Sequence, residues 1–326
     1  MSSVKTTVIL PVYRGEQTLA AALQSVLSQE VEDLQVLVLD DGSPDASWEV
    51  IKRFTDRRIF AVKHLNRGLA ATLNRGIALA EGCYIARQDH DDLVLEGRLA
   101  KQAQYLDMHP EVAMVGTWAQ VFVGGIETQR FHRHPSSNEA LQLELLFDNP
   151  FVHSSMMIRT NVLRELGGYC EDKQRQPPED YELWSRVARR YKIANLPEVL
   201  TIYREMPNSM SRVGPSPFLH NVIRISSENI FSRVSSQFTA KQCLALADLY
   251  HGMPSKNGLT KKMAFVMFDA AAHNIAGPKE TWSIEFQSSY RRLCKHLQRR
   301  LILRDMPPFL LTFLRKSKRC FRREPN

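Results

Sequence analysis

Ala80-Glu81-Gly82-Cys83-Tyr84-Ile85-Ala86-Arg87-Gln88-Asp89-His90-Asp91-Asp92 is the stretch on which the fold turns. Its apolar run, Cys83–Ala86, follows Gly82 and stops at a block of carboxylates, the pattern of a buried strand ending at a polar sheet edge. Asp89 and Asp91 leave the strand one residue apart, so both can reach one hard divalent cation. Oxygen ligands of this kind suit Mg²⁺ or Mn²⁺, which dehydrate reluctantly and are completed by substrate phosphates. Asp89-His90-Asp91 therefore reads as the holder of a metal-bound diphosphate. An acidic pair by itself is more often only solvated, and its place in the chain is what gives it weight.

Upstream, strands and helices alternate. Thr7–Leu10 and Leu34–Leu39 are nearly continuous apolar runs, as for strands buried on both faces of a parallel sheet. Leu19, Leu23, Val26 and Leu27 between them recur at helical spacing. Ser43-Pro44-Asp45 reads as a helix start with a capping side chain and a first-turn proline, and Trp48, Ile51 and Phe54 then face the sheet. A third strand, Ile59–Val62, leads to a helix carrying Leu69, Leu73 and Ile77. This βαβαβαβ series predicts an α/β fold, a mostly parallel sheet flanked by helices, with ligands at the carboxyl ends of its strands.

Downstream of Glu111 the pattern is mixed. Val112–Val115, Trp118–Val123 and Phe151–Ile158 are strand candidates, and Leu141–Phe147 and Tyr181–Tyr191 helix candidates. Met206–Pro217, rich in Pro, Ser and Gly, reads as a boundary. Beyond it only helices are expected: Phe218–Phe231, Lys241–Tyr250, Met263–Ile275 and Thr281–Leu303. The division is thus 1–205, with a nucleotide-binding half 1–110 and an acceptor half 111–205, followed by a helical extension 206–326.

Hydrophobic residues make up 44% and charged residues 24% of the 326, so a sizeable core is expected and disorder is not. The five cysteines are widely spaced without a CxxC pair, which argues against a disulfide framework or zinc site. No run approaches the roughly eighteen apolar residues of a membrane span, and the N-terminus lacks a signal-peptide core; a cytoplasmic location is expected. The net charge of +8 is uneven: residues 291–326 hold twelve Lys/Arg against Asp305 and Glu324. Pro308–Leu314 followed by Arg315-Lys316-Ser317-Lys318-Arg319 suits an anionic membrane surface, hence peripheral attachment at the inner face. The plainer reading is a helix packed on the domain with a solvated basic end. No nucleic-acid recognition module is present, and nucleic acid is not expected as a partner.

Three strand ends converge on polar groups: Pro11-Val12-Tyr13, Asp40-Asp41-Gly42-Ser43 and Asp89–Asp92. Carboxylates gathered at one edge repel unless a cation or a donor-rich ligand joins them. A nucleotide with bound Mg²⁺ or Mn²⁺ does both. Neither a Gly-x-Gly-x-x-Gly nor a Walker-type lysine loop occurs, against dinucleotide or ATP binding.

Val8–Tyr13, Val38–Asp45, Asn66-Arg67-Gly68-Leu69-Ala70 with Leu73-Asn74-Arg75-Gly76, Ala80–Asp92 and Pro178-Glu179-Asp180-Tyr181-Glu182-Leu183-Trp184 resemble successive motifs of glycosyltransferase family 2. The resemblance runs from Thr6 to Arg204. It implies a GT-A fold and inverting, metal-dependent transfer of a sugar from a nucleotide diphosphate sugar, UDP in the usual case. The acceptor would be a hydroxyl of a glycan or lipid-linked acceptor in polysaccharide or glycoconjugate synthesis. Carried over residue by residue, it implies Asp41 as acceptor from the base, with Pro11, Val12, Tyr13 and Glu16 along that pocket and Asn74 also on the donor side. Asp89 would lie by the ribose and diphosphate, Asp91 would hold the metal, and Asp180 would be the general base. His90 stands where a small residue is frequent, which bears on contacts at the ribose.

Other positions carry two readings. On the acceptor side, Glu179 orients its neighbours or acts as base, and Trp184 packs in the core or stacks on a sugar. Gly168 and Tyr169 form a helix C-cap or border the acceptor. His153 is structural or faces the diphosphate, Arg204 could reach phosphate, and Asp92 caps the next segment or touches the metal. Two other functions compete. A sugar nucleotidyltransferase would show a Gly-rich, basic loop after the first strand, where Arg14-Gly15-Glu16 offers one Gly and one Arg. A non-catalytic regulatory protein keeping the fold would be expected to have lost Asp91 or Asp180, and both are present.

Overall fold

The computed structural model describes residues 4–205, 218–254 and 259–307. Its first half follows β1 (Thr6–Val12), α1 (Leu19–Leu27), β2 (Leu34–Asp40), α2 (Ser47–Lys52), β3 (Ile59–Lys63), α3 (Leu69–Leu79) and β4 (Tyr84–Arg87). These four strands pair in parallel in the order β3-β2-β1-β4. Both faces are covered, so successive residues serve different cores: Ile9, Leu37 and Leu39 enter one, Val8, Leu10, Val36 and Val38 the other. That is why β1 and β2 read as continuous apolar runs rather than alternating ones. Because the strands are parallel, Val12, Asp40, Lys63 and Arg87 all end at one edge.

The chain continues through β5 (Leu93–Val94), α4 (Arg98–Met108), β6 (Val112–Val123), β7 (Ile126–His132), α5 (Asn138–Glu144), β8 (Met157–Arg159), α6 (Thr160–Glu165), α7 (Glu179–Ala188) and β9 (Lys192–Glu205). β8 joins the two halves by pairing antiparallel with both β4 and β6. β6 also pairs with β9 in parallel and with β7 antiparallel, so the nine-stranded sheet is mixed beyond β4.

Three sequence expectations are corrected. The helix expected at Ser43-Pro44-Asp45 begins at Ser47, because Asp45 turns its carboxylate onto the Ser47 amide, 3.1 Å, and so precedes the helix. The strand expected over Phe151–Ile158 contracts to Met157–Arg159, because His153–Ser155 forms a single 3-10 turn beneath the carboxylates. The two candidates Val112–Val115 and Trp118–Val123 are one strand, with Gly116 and Thr117 running through.

The remaining helices are α8 (Leu219–Val234), α9 (Ala240–His251), α10 (Lys261–Ala276) and α11 (Ile284–Asp305). They build a third core around Leu246, Phe268 and Phe286, to which α5 and its following turn add Leu143, Leu146 and Phe147. α11 buries Leu293, Leu297 and Leu301 at i, i+4 and i+8, one helix face. Its first-turn Glu285 accepts from the Ser136 and Ser137 amides, 2.8 Å each, and so ties the helices to the loop before α5. Met206–Pro217 and Pro308–Asn326 lie outside the described residues. Among the described residues no helix is long and apolar enough to cross a membrane.

Candidate active site

The loops after β1 and β2 are stitched together. Gly15 donates to the Ser47 hydroxyl at 2.8 Å, Glu16 donates its amide to Asp45 at 3.2 Å, and the Glu16 carboxylate accepts from the Ala46 amide at 3.3 Å. Pro11 and Val12 are buried within β1, so of the expected pocket residues on this strand end Tyr13 alone presents an exposed ring. Asp40 makes the turn, accepting from the Ser43 amide at 2.9 Å. Asp41 accepts from the Arg67 and Gly68 amides, 2.7 and 2.9 Å, at the start of α3. That helix N-terminus favours negative charge, and each carboxylate oxygen keeps a second lone pair for a further donor.

At the end of β4, the carboxylates of Asp89, Asp91 and Asp92 bring ligand oxygens within 4.8 Å of one another. Asp89 is 30% exposed and accepts from Arg87 Nη2 at 2.5 Å. Burial works against its charge, but the opposing influences, led by the Arg87 guanidinium, together hold Asp89 below the usual carboxylate range. Burial, followed by the Asp89 charge, raises Asp91. Asp92 is buried and pushed well above the usual range by burial and by Asp89 and Asp91. It neither caps the next segment nor lies free: it accepts from the Ser154 hydroxyl and from the Arg204 amide at 2.8 Å, fastening the strand end to the 3-10 turn and to β9. His90 bridges to the β1 loop, its Nδ1 lying 3.1 Å from the Thr18 hydroxyl. Clustered carboxylates that raise one another's proton affinity make a fitting donor set for a hard dication.

Across from this cluster, α7 opens with Glu179 and Asp180 in its first turn. Asp180 accepts from its neighbour's amide, Tyr181 N, and from the Asn149 side chain, both at 2.7 Å. Burial raises Asp180, and burial together with the Asp180 charge pushes Glu179 up to about 7. A buried carboxylate that is ionised holds a raised affinity for a proton, which is what a general base needs. Arg87 and Asp89 act electrostatically on both of them, so the two acid groups belong to one centre. Asp41 lies at the same sheet edge, with β1 between its strand and β4.

His153, Tyr169 and Trp184 form an aromatic wall. His153 Nε2 lies 2.9 Å from the Tyr169 hydroxyl, and its ring meets Trp184 edge-on at 5.8 Å. Burial and the Arg87 charge push His153 down to about 3, so it is neutral, while burial raises Tyr169. Trp184 is fully buried and shows no face on which an acceptor sugar could stack; of its two readings, core packing holds. Gly167 and Gly168 close α6: their amides reach Arg164 O at 3.1 Å and Leu163 O at 2.8 Å with positive φ at both, a Schellman motif. Asn74 fixes the turn that follows, exchanging hydrogen bonds with the Tyr169 backbone at 2.8 and 2.9 Å and donating to Glu171 at 2.7 Å. A β-carbon at Gly168 would stand 2.4 Å from Asn74 Oδ1, at φ +69°. Gly168→Ala is therefore expected to destabilise the protein by about 1–3 kcal/mol in a denaturant titration. An unchanged midpoint would show that the turn relaxes freely.

Several residues of the centre were not singled out in the sequence. Asn149 approaches Asp180 from 31 positions away, and Ser154 approaches Asp92 from 62, with no local pattern to announce either. Arg87 did leave a signal, a cation at the end of an otherwise apolar strand beside the carboxylates.

Comparison with known proteins gives a consistent result. The family model for glycosyl transferase family 2 matches residues 7–167. The putative glycosyltransferase EpsE of Bacillus subtilis (strain 168) is 33% identical over 230 residues, 69% of this chain and 81% of EpsE. The amylovoran biosynthesis glycosyltransferase AmsE of Erwinia amylovora is 29% identical over 200 residues, 60% of this chain and 74% of AmsE. Among solved structures, S. aureus TarS 1–349 in complex with UDP-GlcNAc superposes with a TM-score of 0.60 at 16% identity, covering 90% of this chain and 92% of that one, a likeness of fold. Carboxylates at the strand ends, a GT-A-like mixed sheet and these matches agree: the chain belongs to glycosyl transferase family 2 and is a glycosyltransferase.

Proposed function

We propose that the protein transfers a sugar, with inversion, from a nucleotide diphosphate sugar, a UDP-sugar in the first instance, to a hydroxyl of a glycan or lipid-linked acceptor in polysaccharide synthesis. The observation that carries this reading is the juxtaposition of two carboxylate groups. Asp89, Asp91 and Asp92 stand on one side, the Glu179–Asp180 pair on the other, with Arg87 acting on both. The likeness to TarS bound to UDP-GlcNAc supports the donor class, and that to AmsE supports polysaccharide synthesis.

Asp91 with Asp89 would hold Mg²⁺ or Mn²⁺, which when bound supplies Lewis-acid neutralisation of charge on the leaving diphosphate. Asp41 would accept from the base, with Tyr13 and Glu16 at its border. Asp180 takes the proton of the acceptor hydroxyl as that oxygen attacks the anomeric carbon, and the bond from that carbon to the diphosphate breaks to release the nucleotide. Asn149 fixes the Asp180 carboxylate through its side-chain amide. Burial keeps the proton affinity of Asp180 high, and the Asp180 charge in turn raises Glu179 beside it. Screening UDP-sugars with Mn²⁺ for nucleotide release tests this. No metal-dependent release from any of them, with or without added glycan acceptors, would remove the UDP-sugar reading.

The catalytic unit on this reading is residues 1–205, and residues 206–326, helical where described, bring it to an anionic membrane surface at the cytoplasmic face. Support comes from the charge of the segment, with six Lys/Arg after Pro308. Each basic residue near such a surface contributes about 1 kcal/mol. Deleting residues 308–326 is expected to release the protein from anionic vesicles in a sedimentation assay and to leave nucleotide binding intact. Unchanged sedimentation would end the membrane role.

A further inference from the structure

Arg87 lies outside the steps proposed above, yet it is a cation buried in the centre with two of its three guanidinium nitrogens lacking a hydrogen-bond partner among the described residues. It is 2% exposed on the last position of β4. Its Nη2 donates to Asp89 Oδ1 at 2.5 Å, while Nε and Nη1 are buried without a hydrogen-bond partner among the described residues. Burying a guanidinium carries a desolvation penalty, and each buried N–H left unpaired adds to it. A methionine or leucine would complete β4 without either penalty.

Next to it, Arg98 shows what a merely structural buried arginine looks like. Its Nε donates to Gln102 at 3.0 Å, Nη1 to Gln88 at 2.9 Å and Nη2 to the Arg87 carbonyl at 2.9 Å, so every nitrogen has a partner. Arg87 instead spends its single hydrogen bond on Asp89. That carboxylate has the acid groups of Asp91 and Asp92 beside it and those of Glu179 and Asp180 acting on it from across the centre. Like charges on those sides would turn Asp89 outward into solvent, and a fixed cation behind it opposes the turn.

We propose that Arg87 is a positioning residue of the donor site, pinning the Asp89 carboxylate in the orientation that receives a nucleoside diphosphate with its dication. This rests on the donor reading given above. Arg87 does not touch the nucleotide; it acts through Asp89. Its effect therefore depends on Asp89 being present, which a general packing role would not require.

The experiment is a double-mutant cycle read by isothermal titration of UDP, and separately of GDP, in the presence of Mn²⁺. Arg87→Met is expected to weaken binding of the better nucleotide by about tenfold, a loss of about 1.4 kcal/mol. In an Asp89→Asn background the same change is expected to cost less than about twofold, the signature of coupled neighbours. Arg87→Lys, which keeps the charge, is expected to recover most of the loss. Should Arg87→Met fail to fold, Arg87→Gln replaces it with the same expectations. Undiminished binding in the single variant, an equal loss in both backgrounds, or no recovery with lysine would each overturn the proposal. If the unsubstituted protein binds neither UDP nor GDP, the donor reading falls and this one with it; binding by that protein with an additive cycle removes only the role of Arg87.

Discussion

Asp180→Asn should bind nucleotide as the unsubstituted protein does and lose turnover by about 10²–10⁴-fold, the usual contribution of a general base. The substitution is nearly isosteric, and the local structure limits the damage. Asp180 accepts two hydrogen bonds, from Tyr181 N and Asn149 Nδ2, each 2.7 Å. Asparagine keeps one acceptor oxygen and turns the other into a donor, so one of the two bonds is lost at a cost of about 1 kcal/mol. Asn149 cannot simply turn its amide round to compensate, since its oxygen accepts from Phe151 N at 3.2 Å. The stability cost is thus small and the chemical cost large, and the ratio separates a base from a structural acid.

The same variant decides between the two carboxylates of α7. Part of what pushes Glu179 up to about 7 is the charge of Asp180, so removing that charge lets Glu179 ionise more readily. If Glu179 were the base, Asp180→Asn would leave turnover intact and shift its acid limb to lower pH, whereas Glu179→Gln would abolish it. Steady-state kcat together with the nucleotide Kd for both variants gives the answer. Full activity in Asp180→Asn removes the base role from that residue.

How much of this centre could be read from sequence follows from the range of the forces involved. The parallel half was legible because β1 and β2 are buried on both faces, and a doubly buried strand writes itself as an unbroken apolar run. The triplet at Asp89 was legible because its residues are adjacent and follow such a run directly. The helical extension was legible too, since Leu293, Leu297 and Leu301 repeat at a helix's own period. The short β8 was not: with three residues, Met157–Arg159, its pairing is fixed by β4 and β6 on either side rather than by its own composition. Nor was the start of α2, where Ser43-Pro44-Asp45 reads as a helix start but Asp45 closes a turn on the Ser47 amide and the helix begins only there. Asn149 beneath Asp180 and Ser154 beneath Asp92 were hidden for another reason. Polar partners brought together by tertiary folding leave no periodic trace, so an asparagine before a proline reads only as a loop.

Removal of the Asp91 carboxylate produces effects of opposite sign in the two states of the protein. Its ligand oxygen lies within 4.8 Å of those of Asp89 and Asp92, and Asp91 is one cause of the high proton affinity of Asp92. Without a cation the three repel, so Asp91→Ala relieves repulsion, and the melting temperature of the metal-free protein should stay level or rise. With UDP and Mn²⁺ the expectation reverses. A ligand that binds only the native state stabilises it by RT ln(1 + [L]/Kd), about 2.7 kcal/mol at one hundred times Kd. The unsubstituted protein should show that upward shift and Asp91→Ala should show none. Asp92 is badly placed to compensate, because its two oxygens already accept from Ser154 and from the Arg204 amide. Asp89 already supplies its own oxygen to the ion and, fixed by Arg87, cannot move to replace that of Asp91 as well. A variant damaged in folding would melt lower both with and without the nucleotide, so a level baseline with a missing shift isolates loss of the ion. A shift in Asp91→Ala as large as that of the unsubstituted protein would mean that this carboxylate does not hold the dication, and the reading of Asp89-His90-Asp91 as a diphosphate-metal holder would fall.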